Sequence, residues 1–300
     1  MSAAGKTNSI AILGAGYVGA ELARLSIARG WHVAALTRNP EKVAMLRALG
    51  CEKVVECDIA SEAWHEKMGG PFSNVVNCTS PGGGGVEGYR HSCVAGMKSV
   101  GAWLAKMPAG MVVYTSSTGV YPQGEGVLVD EFAPTETGES RGGLLREAET
   151  ILENAANGAG WRWFALRLAG IYGPGRHHLL DQVRAVGALR GNPDVRLNLI
   201  HRDDVCSAII ACLESFEGAA SGIFNLSDDS PHSRGEVAAW FARELGLPKP
   251  RFEDRPAPNP LGRRSTPDRV IVAKRFREQF GWGPRHRDFR SGFGAILRGV

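Results

Sequence analysis

No part of the chain limits its fold more narrowly than Ser9 to Gly30, SIAILGAGYVGAELARLSIARG. A short apolar run, Ser9 to Gly14, ends in glycine. Gly14, Gly16 and Gly19 then follow at GxGxxG spacing. From Tyr17 to Arg29 apolar residues recur at helical intervals, with Val18, Leu22, Leu25 and Ala28 on one face. A strand that passes into a helix through three glycines is half of a βαβ unit, and this context gives an otherwise weak motif its meaning. Gly14 permits the tight turn, Gly16 lets a pyrophosphate approach the backbone, and Gly19 lets helix and sheet pack closely. The helix N-terminus offers unpaired N–H groups and a positive dipole end to phosphates. Tyr17 and Val18, in its first turn, join the candidate cofactor contacts. The alternative is a glycine-rich turn without a ligand.

The alternation continues downstream. HVAALT (His32 to Thr37) reads as a second strand, and Asn39-Pro40 as a helix start. Lys53 to Cys57, Asn74 to Thr79 and Met111 to Ser117 read as further strands, with a helix from Gly88 to Lys106. Later come a helix from Arg141 to Asn154, strands at Trp161 to Leu168, Val195 to His201 and Gly222 to Leu226, and helices from Asp204 to Ser215 and Ser233 to Leu245. Pro248 to Gly262 is Pro-rich and reads as a connection. The order predicts an α/β fold, a doubly wound parallel sheet with a smaller C-terminal substrate-binding lobe. Residues 1–170, with 195–226 returning to them, form the expected dinucleotide-binding domain. Residues 171–194 and 227–300 form the lobe.

Composition excludes several classes of partner. With 43% hydrophobic and 22% charged residues, the chain has the balance of a soluble globular protein. Its net charge of +4 comes with no uninterrupted basic run, so nucleic acid is not implied. No apolar run is long enough to span a membrane, and MSAAGKTNS shows no signal-peptide pattern. The six cysteines form neither a CxxC pair nor a zinc-spaced cluster, so no metal site and a reducing, cytoplasmic setting are expected. The expected partner is a small-molecule substrate, for a monomer or homodimer.

The end of the second strand bears on the choice of cofactor. An acid there accepts a hydrogen bond from the ribose 2′-OH of NAD(H). This chain has Thr37-Arg38-Asn39 instead. Arg38 could pair with a 2′-phosphate through its planar fork, which favours NADP(H), with NAD(H) as the alternative. A solvated loop arginine would look the same in sequence.

GAGYVG, CDI (Cys57 to Ile59), YTSSTGVYP (Tyr114 to Pro122), LRLAGIYGPG (Leu166 to Gly175) and LIHRDDV (Leu199 to Val205) occur in this order. The set resembles the extended short-chain dehydrogenase/reductase group, the NAD-dependent epimerase/dehydratase family, over nearly the whole chain. The resemblance implies a Rossmann sheet. It places Asp58 and Ile59 beside the adenine, and Cys78, Thr79 and Ser80 along the cofactor riboses. Leu168 to Gly170 fall near the nicotinamide carboxamide, and Ser117 at the family's catalytic serine or threonine. His201 and Asp204 match a segment that supports the substrate side.

The resemblance breaks where the family keeps a catalytic tyrosine and a lysine. With Glu149 taken as the family's helix glutamate, those positions fall on Arg141 and Leu145. Arginine stays protonated and leucine has no donor. No Asp-Glu pair follows the fifth strand, so sugar dehydration is not expected. The chain thus resembles an atypical branch with SSTGVY and without the Tyr-Lys pair. Tyr121, four residues after Ser117, could donate a proton with Ser117 as orienter, or could simply pack. Tyr172, His178 and His201 are candidate substrate contacts. Arg167, at the end of an apolar strand, needs a buried partner, for which Asp203 or Asp204 is expected. Gly82 to Gly85 could form a lid or a slack connection, and Arg285, His286, Arg287 and Arg290 a phosphate site or a solvated helix start. Two functions remain open. One is an NADP(H)-dependent oxidoreductase or epimerase acting on a small carbonyl or hydroxyl compound, such as a sugar derivative. The other is a catalytically silent NADP(H)-binding redox sensor.

Overall fold

The computed structural model describes residues 8–216, 218–253 and 267–299. Strands β1 (Ser9–Leu13), β2 (His32–Thr37), β3 (Lys53–Glu56), β4 (Asn74–Asn77) and β5 (Met111–Ser117) join Arg162–Leu168 and Gly222–Leu226 in one seven-stranded sheet. The order is Gly222–Leu226, Arg162–Leu168, β5, β4, β1, β2, β3. β1 pairs in parallel with both β2 and β4. Nearly every residue of β1, β2 and β4 is buried, as expected of a parallel sheet flanked by helices. The register sets Leu13 against Leu36 on one side and Asn77 on the other, so these three strands end side by side. The chain leaves β1 for β2 but β4 lies on its far side, and such a switch point is where open α/β sheets bind ligands.

Two compact units divide the chain. The first comprises Met1–Val120, Thr135–Arg167 and Cys206–Phe224; the second comprises Tyr121–Pro134, Leu168–Val205 and Asn225–Val300. Tyr121–Pro134, which sequence order leaves among the strands of the first domain, therefore belongs with the C-terminal residues. The reason is strand pairing: Val127–Val129 lies parallel to Arg269–Ile271, more than a hundred residues away.

Within the first unit, helix Arg141–Ala159 starts at Ser140, whose side chain accepts the Gly143 N–H, and ends at left-handed Gly160. It buries Glu149 completely. Arg167 meets Glu149 through Nε at 2.9 Å and Nη2 at 2.7 Å, and Ser116 Oγ donates to the same carboxylate at 2.6 Å. The partner expected from Asp203 or Asp204 is thus Glu149, which comes from the helix packed beside Arg167's own strand.

The second unit has its own core, built on Tyr172, Leu180, Val237, Phe241, Phe289 and Phe293. Helix Arg234–Glu244 opens with a capping box between Ser233 and Glu236. Val195 to His201, expected as one strand, forms two pieces, Arg196–Leu197 and Leu199–His201. Asn198 interrupts it, because its side chain accepts the Ile271 N–H and donates to the Arg269 carbonyl. Of the expected connection Pro248 to Gly262, Phe252–Glu253 pairs with Leu189–Arg190, and residues 254–262 lie outside the described residues.

Candidate functional site

A cavity of about 200 Å³ lies in the first unit where β1, β2 and β4 end. The turn after β1 is built for close approach. Gly14 has φ +84°, and a Cβ there would sit 2.7 Å from the Thr79 backbone nitrogen. A Cβ on Gly19 would press on the Gly14 carbonyl at 2.5 Å, whereas one on Gly16 would meet that oxygen at an ordinary 3.8 Å. Helix α1 (Tyr17–Ile27) has no side-chain cap and no acid in its first turn. Its N–H groups can therefore meet an anion, and the residues present fit a dinucleotide pyrophosphate.

Of the expected cofactor residues, Gly14, Gly16, Thr37, Arg38, Asp58, Ile59, Cys78, Thr79 and Ser80 line this cavity together. Tyr17, Val18, Gly19 and Leu168 do not line it. Val18 is buried, and its carbonyl accepts the Cys206 thiol at 3.6 Å. Gly19 acts by closing α1 onto the sheet. Asp58 accepts from Ala60 N at 2.8 Å and pairs with His91 at 2.9 Å. Burial pushes the Cys78 thiol up to about 12, so it lies beside the ligand space as an inert thiol.

Five lining residues were missed: Leu36, Asn39, Lys42, Cys57 and Ser92. Lys42, in the first turn of helix α2 (Pro40–Leu49), shares the cavity with Arg38, and Ser92 enters from the helix after β4. That helix is also less regular than expected: Gly85–Tyr89 and Gly96–Lys106 are α-helical around a π-helical turn, Arg90–Ala95.

Ser117 ends β5, and its Oγ accepts the Gly119 N–H at 3.0 Å, which leaves its own proton to donate. Leu145 packs by Gly119 and is buried. The Arg141 guanidinium lies over the Tyr89 ring, 5.8 Å from its centroid. Of the two alternatives for Tyr121, the structure has the packed one. It is 2% exposed in the second unit, and its hydroxyl donates to Asn225 Oδ1 at 2.8 Å. Asn225 in turn donates to the Val129 and Val272 carbonyls, so the phenol belongs to a satisfied buried network.

Tyr172 and His201 come together in the second unit, edge to face with centroids 5.2 Å apart, and neither is presented to solvent. Tyr172 stacks on Phe293, and burial raises its phenol well above the ordinary range. Burial, then His286, lowers His201 to about 4, so it is neutral at pH 7. Its Nδ1 accepts the Asp203 N–H. His201, Asp204 and His286 also bring three potential metal-ligand atoms within 4.8 Å of one another. Asp204, however, accepts the Arg285 and His286 N–H groups at 2.7 and 3.0 Å. The cluster therefore fastens the start of the C-terminal segment. His178 is exposed and contacts Gln182 on the helix His178–Arg184.

A glycine turn at a parallel-sheet switch point, with an uncapped helix N-terminus behind it, makes this a Rossmann-type dinucleotide-binding fold. The chain belongs to the NAD dependent epimerase/dehydratase family, whose model matches residues 10–227. Protein YeeZ of Escherichia coli (strain K12) is 30% identical over 252 residues, which cover 82% of this chain and 86% of YeeZ. A functionally unknown conserved protein of Silicibacter pomeroyi has the same fold, with TM-score 0.78 and 24% identity over 98% of this chain and 99% of that one. MoeE5, solved in complex with UDP-glucose and NAD, gives TM-score 0.80 and 20% identity over 97% and 98%. Among the described residues no helix is long and apolar enough to cross a membrane, and all six cysteines are free.

Proposed function

We propose that the chain is an NADP(H)-dependent oxidoreductase or epimerase acting on a small carbonyl or hydroxyl compound, such as a sugar derivative. The observation that carries the proposal is the pairing of Arg38 and Lys42 around the same cavity as Gly14 and Gly16. Two cations at the end of β2 suit a 2′-phosphate, where an acid would suit a 2′-hydroxyl. The bound nicotinamide supplies hydride chemistry. The protein's own residues do the rest. Gly14, Gly16 and the N-terminus of α1 hold the diphosphate, and Asp58 and Ile59 border the adenine. Ser117 donates a hydrogen bond to the reacting oxygen. The second unit serves as the substrate lobe, and a reducing, cytoplasmic setting suits the free cysteines.

A second function stays open on one observation: Arg141 and Leu145 stand at the proton-handling positions, and the Tyr121 hydroxyl is bound to Asn225. A silent cofactor-binding sensor would have this make-up. Incubation with NADPH or NADP+ and a panel of small carbonyls and sugar nucleotides, with product analysis, separates the two. For an enzyme, Ser117→Ala lowers turnover by roughly 10²-fold while cofactor affinity holds. Cofactor binding with no product across the panel favours the sensor.

A further inference from the structure

Arg38 does not stand alone at the cavity. Its Nη2 donates to the Pro81 carbonyl at 3.0 Å, and the next residue, Gly82, lies so close to that nitrogen that a Cβ would overlap it. Gly82, Gly83, Gly84 and Gly85 all have positive φ, at +66°, +129°, +76° and +59°. Four consecutive residues in that region form a turn that only glycine adopts without strain. The turn is closed from behind: Gly88 N donates to Gly84 O at 3.0 Å, and a Cβ on Gly88 would overlap the Gly83 carbonyl. Pro81 is thereby aimed at one particular arginine.

A guanidinium has five N–H donors in a rigid fork. Pro81 takes one, which orients the fork and leaves others for a second acceptor on the cavity side. An arginine held in place before its ligand arrives loses less freedom on binding.

We propose that the Pro81–Gly82 turn is a positioning element that holds Arg38 for a ribose 2′-phosphate and so sets the discrimination between NADP(H) and NAD(H). This rests on the NADP(H) function proposed above. Gly82 is the positioning residue, because its missing Cβ is the space the guanidinium occupies.

Calorimetric titration with NADPH and NADH tests it on the full chain. Gly82→Ala should weaken NADPH binding about tenfold and change NADH binding less than about twofold. Gly85→Ala carries a similar left-handed backbone but meets nothing within 4 Å, so it should keep the wild-type NADPH/NADH ratio. Adding Gly82→Ala to Arg38→Ala should cost nothing further. An unchanged ratio in Gly82→Ala, with the preference lost in Arg38→Ala, would overturn the positioning role and leave the NADP(H) assignment intact. Equal losses in Gly82→Ala and Gly85→Ala would also overturn it, as general damage to the loop. An unchanged ratio in Arg38→Ala would remove the assignment and the positioning role together. Hydrogen exchange on the wild-type protein gives an answer even if Gly82→Ala does not fold. Amides of residues 82–88 should slow with NADPH and not with NADH, and equal protection by both would contradict the proposal.

Discussion

Arg167 is 2% exposed and Glu149 fully buried, and the two are joined by a pair of hydrogen bonds. Removing Arg167 takes the two-point partner from a buried carboxylate that keeps Arg146 Nη1 at 3.5 Å and the Ser116 hydroxyl, so Arg167→Leu should destabilise the protein by about 3 kcal/mol in urea unfolding. Asp228 is also buried, but its Oδ2 has no hydrogen-bond partner. Burial, with Asp229, Asp288 and Asp204 nearby, raises it to about 8 from an ordinary 3.8. The folded state therefore keeps a proton that the unfolded chain releases, and stability falls as pH rises between about 4 and about 8. Asp228→Asn should be more stable than wild type at pH 8, by roughly 1–2 kcal/mol, and the gap should close toward pH 4. Unfolding curves at the two pH values check this; a gap independent of pH would show that Asp228 does not titrate in that window. The pairing of Arg167 with Glu149 was not legible in sequence. That Arg167 needs an anion follows from its place in an apolar strand, but which anion reaches it depends on how a helix packs eighteen residues upstream.

Among the elements, β1, α1 and β2 could be read almost residue by residue, because the glycine spacing and the apolar runs act locally. Gly19 shows the reason: its contact is with Gly14 and Ile12, a few residues away. Gly19→Val would push α1 off the sheet, with an expected loss of about 1–3 kcal/mol of stability and of detectable cofactor binding. A fully stable, cofactor-binding variant in thermal melts and titration would show that the close contact is not required. Elements fixed by distant partners were not legible. Asn198 splits a strand because it serves Ile271 and Arg269, and Tyr121 is held by Asn225. Within the site, the glycines after β1 were found from spacing, Arg38 from the missing acid after β2, and Cys78, Thr79 and Ser80 after β4 from the family resemblance. Lys42 and Ser92 were not, since they arrive from helices whose rotation the pattern leaves open.

In the molecule as a whole, parallel strands ending in register at a switch point create one place for a dinucleotide, and the family match places the chain among proteins that use it. Arg141 and Leu145 lie outside the cavity's lining. Cofactor binding and turnover can therefore be tested separately, with binding first. The direct measurement is calorimetric titration of the wild-type protein and Arg38→Ala with NADPH and with NADH. Wild type should bind NADPH at least about tenfold more tightly than NADH, and Arg38→Ala should lose most of that preference, on the order of the 1.5–3 kcal/mol of a charge-assisted contact. Tighter binding of NADH by the wild type, or an Arg38→Ala variant that keeps its NADPH preference, would contradict the assignment.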